Sequence, residues 1–148
     1  MNDRRLNTEL RELGEQRFDT CHEELAQMMA ELAVAPDHAV QKSLERLTVL
    51  STAHFAEEDV DLRALGGPAN QCHLDEHVAV LGSIAEVAAL VRVGSGFDVA
   101  RRLGRDLADW LPRHIDELDQ RLAQSLFLRR TGGARIALAR PTLVTVKG

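Results

Sequence analysis

The sequence predicts an all-α fold, an up-down-up-down four-helix bundle, and three observations predict it. Apolar residues recur at steps of three and four along four long segments. Ala, Leu, Arg and Glu dominate while aromatic residues make up only 3%, which favours helices over strands. Short connections containing Pro or Gly join each segment to the next, so sequence neighbours run antiparallel. At 148 residues the chain has the size of one domain and can bury a core that folds without metal or disulfide staples. Its content of 45% hydrophobic and 28% charged residues excludes collagen-like, low-complexity and disulfide-dense classes.

The first segment runs from about Leu6 to Val34, with Leu10, Leu13, Phe18, Cys21, Leu25, Met28 and Leu32 on its stripe, before Pro36-Asp37 breaks it. The second runs from about Asp37 to Leu65 and carries Val40, Leu44, Leu47, Leu50, His54, Glu58 and Leu62 inward, stopped by Gly66-Gly67-Pro68. The third starts at about Asn70, read as its N-cap, and reaches Val93 with His73, His77, Leu81, Ile84, Ala88 and Val91 inward. The fourth is one helix from about Phe97 to Leu128, with Leu103, Leu107, Trp110, Leu111, His114, Leu118 and Leu122 inward. After Gly133 the chain reads as extended. The division expected is a bundle over 1–130 and a basic C-terminal tail over 131–148.

Net charge is −5, but it is unevenly placed. Five of the 18 basic residues and none of the 23 acidic ones lie from Arg129 onward, so the body carries 13 basic against 23 acidic residues, a net of −10. That argues against nucleic-acid binding. Cys21 and Cys72 are too few for a disulfide framework and suit a reducing compartment. They immediately precede His22 and His73, but on diagonal helices running the same way their thiols point apart, which speaks against a disulfide. No apolar run approaches a membrane span, and the polar opening Met1–Arg5 has no signal-peptide core behind it. A cytoplasmic monomer is expected, with the tail packing on the bundle, docking a protein partner or having no fixed structure.

Five of the six histidines fall on inward stripes, and only His38 sits near a helix start. A buried imidazole needs both nitrogens satisfied, so several in one bundle disfavour an apolar core unless something binds them together. A metal does so. His54 and Glu58 are four apart, as are His73 and His77, so each pair projects from one helix face within reach of one centre. His22 and the pair His114 and Asp119 complete the set from the first and fourth helices. Five imidazoles and two carboxylates exceed the needs of a single ion, and carboxylates bridge, so the reading is dinuclear. Nitrogen and oxygen ligands without thiolate fit iron better than structural zinc or calcium. The neighbouring acids Glu57, Asp75, Glu76, Asp116 and Glu117 read as solvated helix faces.

The runs His54-Phe55-Ala56-Glu57-Glu58, His73-Leu74-Asp75-Glu76-His77 and Trp110 to Asp119, with Asp19-Thr20-Cys21-His22-Glu23-Glu24-Leu25 before them, resemble the signatures of the hemerythrin family. The resemblance covers about Phe18 to Leu126, and the gap between His77 and His114 resembles that of bacterial members. It implies that one iron is bound by His73, His77 and His114, the other by His22 and His54, with Glu58, Asp119 and an oxo or hydroxo group bridging. It further implies that one iron position stays open and takes dioxygen reversibly as hydroperoxide, so the protein is an oxygen carrier, store or delivery protein and not an enzyme. Leu25, Phe55, Trp110, Leu111 and Ile115 resemble the residues lining the oxygen pocket. One departure is Asp59-Val60-Asp61-Leu62, where the family often has a Met.

Rival readings fit less of the chain. His73-Leu74-Asp75-Glu76-His77 also matches the inverted zinc-peptidase pattern, which leaves His22, His54, Glu58, His114 and Asp119 unexplained. A ferritin-like oxidase needs Glu three residues before its ligand histidines, and no such Glu precedes these. The alternatives for the same centre are an oxygen or redox sensor signalling through a partner protein, and peroxide or nitric oxide detoxification or iron repair.

Overall fold

Apolar stripes of four antiparallel rods close on one another in the computed structural model, which describes residues 10–132. Helix α1 spans Gln16–Ala33, α2 Asp37–Leu65, α3 Pro68–Arg92 and α4 Phe97–His114. A single π-helical turn, Ile115–Asp119, then continues directly into α5, Gln120–Arg130, so α4, this turn and α5 form the fourth rod. Helix α1 packs on α2 and α4, and α3 packs on the same two, which leaves α1 and α3 on the diagonal. The expected all-α four-helix architecture is therefore the observed one.

Three boundaries differ from the expectation. Helix α1 begins at Gln16 and not near Leu6, because Gly14 turns the chain at φ +78° and the Asp19 carboxylate accepts from the amides of Leu13 and Gly14 at 2.8 and 3.1 Å. The expected stretch before Leu10 lies outside the described residues, as does the tail after Gly132. Helix α3 begins with Pro68 at its first position, where a missing N–H costs nothing, so Asn70 is inside the helix and not its cap. Its Nδ2 donates to the Gly66 carbonyl at 2.7 Å. The fourth rod is interrupted by the π turn and is not one continuous α-helix. On α1 the buried stripe is also slightly rotated, with Met29 inside in place of Met28 and Cys21 only half-buried beside the expected His22.

The interior is built in layers along the bundle axis. A large apolar cluster, including Leu25, Met29, Leu44, Phe55, Ile84 and Leu111, fills one end, and a small one of Phe18, Leu62, Leu122 and Leu126 closes the other. Three rods contribute to both buried clusters with polar residues between them: His22 lies between Phe18 and Leu25, Glu58 between Phe55 and Leu62, and Asp119 between Ile115 and Leu122. A polar layer is thus sealed by hydrocarbon on both sides.

Helices α1 and α4 are in tight contact at Gly104, where an added Cβ would lie 2.7 Å from the Ala33 nitrogen and 2.9 Å from the Met29 carbonyl oxygen. Backbone atoms cannot step aside like a side chain. Gly→Ala inside an open helix stabilises by about 1 kcal/mol, but Gly104→Ala is expected to destabilise by about 1–3 kcal/mol through overpacking. The midpoint of thermal unfolding reads this, and a variant as stable as the parent would show that α1 retreats from α4 without cost.

Candidate metal centre

Each rod delivers its polar side chains to the layer by a different local device. His54 and Glu58 on α2, and His73 and His77 on α3, are one turn apart and therefore share a face. His22 comes alone from α1. His114 and Asp119 are five residues apart, which in a regular α-helix would set them about 140° apart around the axis. The π turn between them widens the backbone by one residue and brings both inward. All seven side chains are buried, none more than 2% exposed.

The two carboxylates divide the histidines between their oxygens. Glu58 turns Oε1 to His54 Nε2 at 2.7 Å and His22 Nε2 at 3.8 Å, and Oε2 to His77 and His73 Nε2 at 3.2 and 3.5 Å. Asp119 turns Oδ2 to His22 Nε2 at 3.0 Å, and Oδ1 to His73 and His114 Nε2 at 2.9 and 3.2 Å. Two groups of ligand atoms result, each within 4.8 Å of one another: Glu58, His73, His77, His114 and Asp119, and His22, His54, Glu58 and Asp119. All seven residues singled out from the sequence meet here.

The donor atoms fit cations better than they fit one another. Both oxygens of Glu58 and of Asp119, with Nε2 of His22 and His73, are buried without a properly aligned hydrogen bond, although N···O separations are as short as 2.7 Å. Atoms this close but misaligned are directed at shared points and not at each other. His77 and His114 bring their Nε2 atoms to 3.3 Å while both Nδ1 atoms face carboxylates that can only accept. Two neutral rings so arranged oppose lone pair to lone pair, which a cation between them relieves.

Residues 13–126 match the model of the hemerythrin HHE cation-binding domain. The chain belongs to the hemerythrin family. The family's domain binds cations, and this His, Glu and Asp cluster is compatible with a metal site, its composition fitting a di-iron centre. A curated relative, a bacteriohemerythrin of Ralstonia nicotianae (strain ATCC BAA-1114 / GMI1000), is 28% identical over 117 residues, covering 79% of this chain and 85% of that protein. No solved structure matches the chain. No described helix is long and apolar enough to cross a membrane.

Burial penalises charge throughout this hemerythrin site, yet the groups balance one another. Burial disfavours the Glu58 carboxylate, but the imidazoles of His22, His54, His73 and His77 hold its pKa well below the ordinary value. Burial and the nearby Glu58 charge oppose ionisation of Asp119, and His114, His22 and His73 outweigh them and lower its pKa. Conversely, burial works against protonated histidines but is overcome by the groups around them. His22 is raised by Asp119 and Glu58, His73 is pushed up to about 9 by the same pair, and His54 reaches about 10 beside Cys21 and Glu58. Without metal, the cluster balances its carboxylates with protons, which bound ions displace.

Two carboxylates outside the seven expected ligands belong to the surroundings of the site. Glu76, read as a solvated face, accepts through one oxygen from Trp110 Nε1 at 2.7 Å and His114 Nδ1 at 2.9 Å. Asp59, seen only as a departure from the family pattern, accepts from His77 Nδ1 at 2.7 Å. Both adjoin a ligand-forming residue in sequence, and both come from the helix next to the ring they hold, a relation that spacing along one helix does not reveal.

Phe55 stacks on the His77 ring at 4.1 Å and 8°, and Trp110 leans on His114 at 4.3 Å. Leu25, Phe55, Leu111 and Ile115 are fully buried in the large apolar cluster, with the half-buried Trp110 packed against it. Cys21 is half-buried and Cys72 exposed, both free, and His38 is exposed.

The sign of the pH dependence follows for metal-free protein. Protons on His54 and His73 stabilise the fold in full below their ordinary value of 6.5, and that contribution is lost as pH rises through about 9 and 10. The thermal midpoint of metal-free protein is therefore expected to fall between pH 6.5 and pH 10. A midpoint that holds or rises across this range would contradict the charge balance.

Proposed function

We propose that this chain is a non-haem di-iron protein that binds dioxygen reversibly, acting as a carrier, store or delivery protein and not as an enzyme. The observation that carries this reading is the division of one buried cluster into two unequal donor sets sharing Glu58 and Asp119. One iron would be held by His73, His77 and His114, the other by His22 and His54, with both carboxylates spanning the pair. Donors of nitrogen and oxygen without thiolate favour iron over structural zinc or calcium. Five donors against four leave the two-histidine side with room for a small ligand once an oxygen group bridges the pair.

When bound, two ferrous ions supply the two electrons that dioxygen takes on binding and returns on release. The protein's own part is to keep that exchange dry. Leu25, Phe55, Leu111 and Ile115 present hydrocarbon and exclude the water and anions that drive irreversible oxidation, while Trp110 flanks His114. Glu58 and Asp119, with pKa values held low, remain ionised as ligands across the physiological range. The relative's name, bacteriohemerythrin, supports the same reading. A reducing cytoplasm suits both free cysteines and the ferrous state.

Iron content and the visible spectrum of anaerobically reduced protein test the proposal. Two irons per chain are expected, with an absorption band that appears when air is admitted and vanishes when oxygen is removed. Immediate irreversible oxidation would favour a sensor or redox enzyme instead, and absence of iron in protein grown with ample supply would overturn the reading. Glu58→Ala removes a donor from both positions and is expected to reduce iron to well below half. Leu111→Ala is expected to keep both irons and oxidise several-fold faster, and equal oxidation rates would remove Leu111 from the wall.

A further inference from the structure

We propose that the two metal positions differ in affinity, the three-histidine position filling first and releasing its ion last, because Asp59 and Glu76 anchor two of its ligands from behind. The inference rests on the two-metal reading above and concerns residues outside the set of seven. His77 Nδ1 donates to Asp59 Oδ1 at 2.7 Å, and His114 Nδ1 to Glu76 Oε1 at 2.9 Å. A carboxylate in this place fixes the tautomer, so that Nε2 offers its lone pair to the centre, holds the ring at one angle and makes it a stronger donor. Glu76 is itself positioned by the Trp110 indole N–H at 2.7 Å.

The two-histidine position has no such support. Nδ1 of His22 and Nδ1 of His54 are buried with no hydrogen-bond partner, and the group beside His54 is the Cys21 thiol, a weak partner. Here the bound tautomer leaves a buried N–H unpaired, a cost that the other position does not carry. The anchors also cross between helices. Asp59 of α2 holds a ring on α3, and Glu76 of α3 holds a ring on α4, so three rods are tied together behind one position. His22 on α1 stands outside that chain of bonds. Asp59 and Glu76 are positioning residues that act through His77 and His114.

Titration of the metal-free full chain with cobalt(II) against a competing chelator, followed by visible absorption, tests this without iron or oxygen. Two steps are expected, the first at least tenfold tighter. Asp59→Asn and Glu76→Gln keep the shape but replace a charged acceptor with a neutral one, and each is expected to weaken the first step by about 10–100-fold while sparing the second. His22→Ala is expected to abolish the second step and keep the first, and circular dichroism checks that each variant is folded. Two ions bound with equal affinity, or anchor variants that leave the first step unchanged, would overturn the inference alone. Total uptake of one ion or none would remove the two-metal reading and the inference with it.

Discussion

Two ionised carboxylates lying inside a helical bundle must be answered by positive charge, and most of this structure is arranged around that requirement. Glu58 and Asp119 are as buried as the leucines around them. Isolated in hydrocarbon, either would take up a proton. Five imidazoles close on them instead, and either protons or metal ions on those rings complete the balance. This polar layer replaces apolar contact in the middle of the bundle, so the small cluster around Phe18 and Leu62 serves as a plug that keeps water from its open end.

Few aromatic residues are available, four Phe and one Trp, and three of them are placed against the rings of the cluster. Phe18 meets His54 edge-on at 6.2 Å, Phe55 stacks on His77, and Trp110 leans on His114. A flat, rigid neighbour limits how far an imidazole can turn. Packing thus does for ring orientation what hydrogen bonding does for protonation. On the three-histidine side the two devices act together, since Phe55 and Asp59 address the same ring, as do Trp110 and Glu76.

Backbone geometry contributes two further conditions. The π turn at Ile115–Asp119 recovers a ligand that regular helix geometry would point away from the centre. Gly104 lets α1 approach α4, the rod carrying that turn, at Met29 and Ala33. The metal layer lies further along the same pair of rods, where His22 faces Asp119.

The helical class, the second helix from Asp37 to Leu65, the five inward histidines and Glu58 are legible in residue order. A period of 3.6 puts positions four apart on one face, and no apolar stripe tolerates His54 with Glu58, or His73 with His77, unless something binds them. The start of α1 departs from the apolar pattern because a positive-φ glycine and an aspartate side chain outweigh a stripe that continues past them. Glu76 and Asp59 are not legible as partners of the site because an acid beside a ligand residue looks the same in sequence whether it faces water or a ring on the next helix. By itself the sequence determined that imidazoles and carboxylates would gather inside a four-helix bundle, since spacing and burial are properties of each helix alone. Only the tertiary structure decided which oxygen answers which ring, which rings are anchored from behind, and that His114 and Asp119 share a side. Those relations depend on the register between helices and on one widened turn, and neither leaves a period in the order of residues.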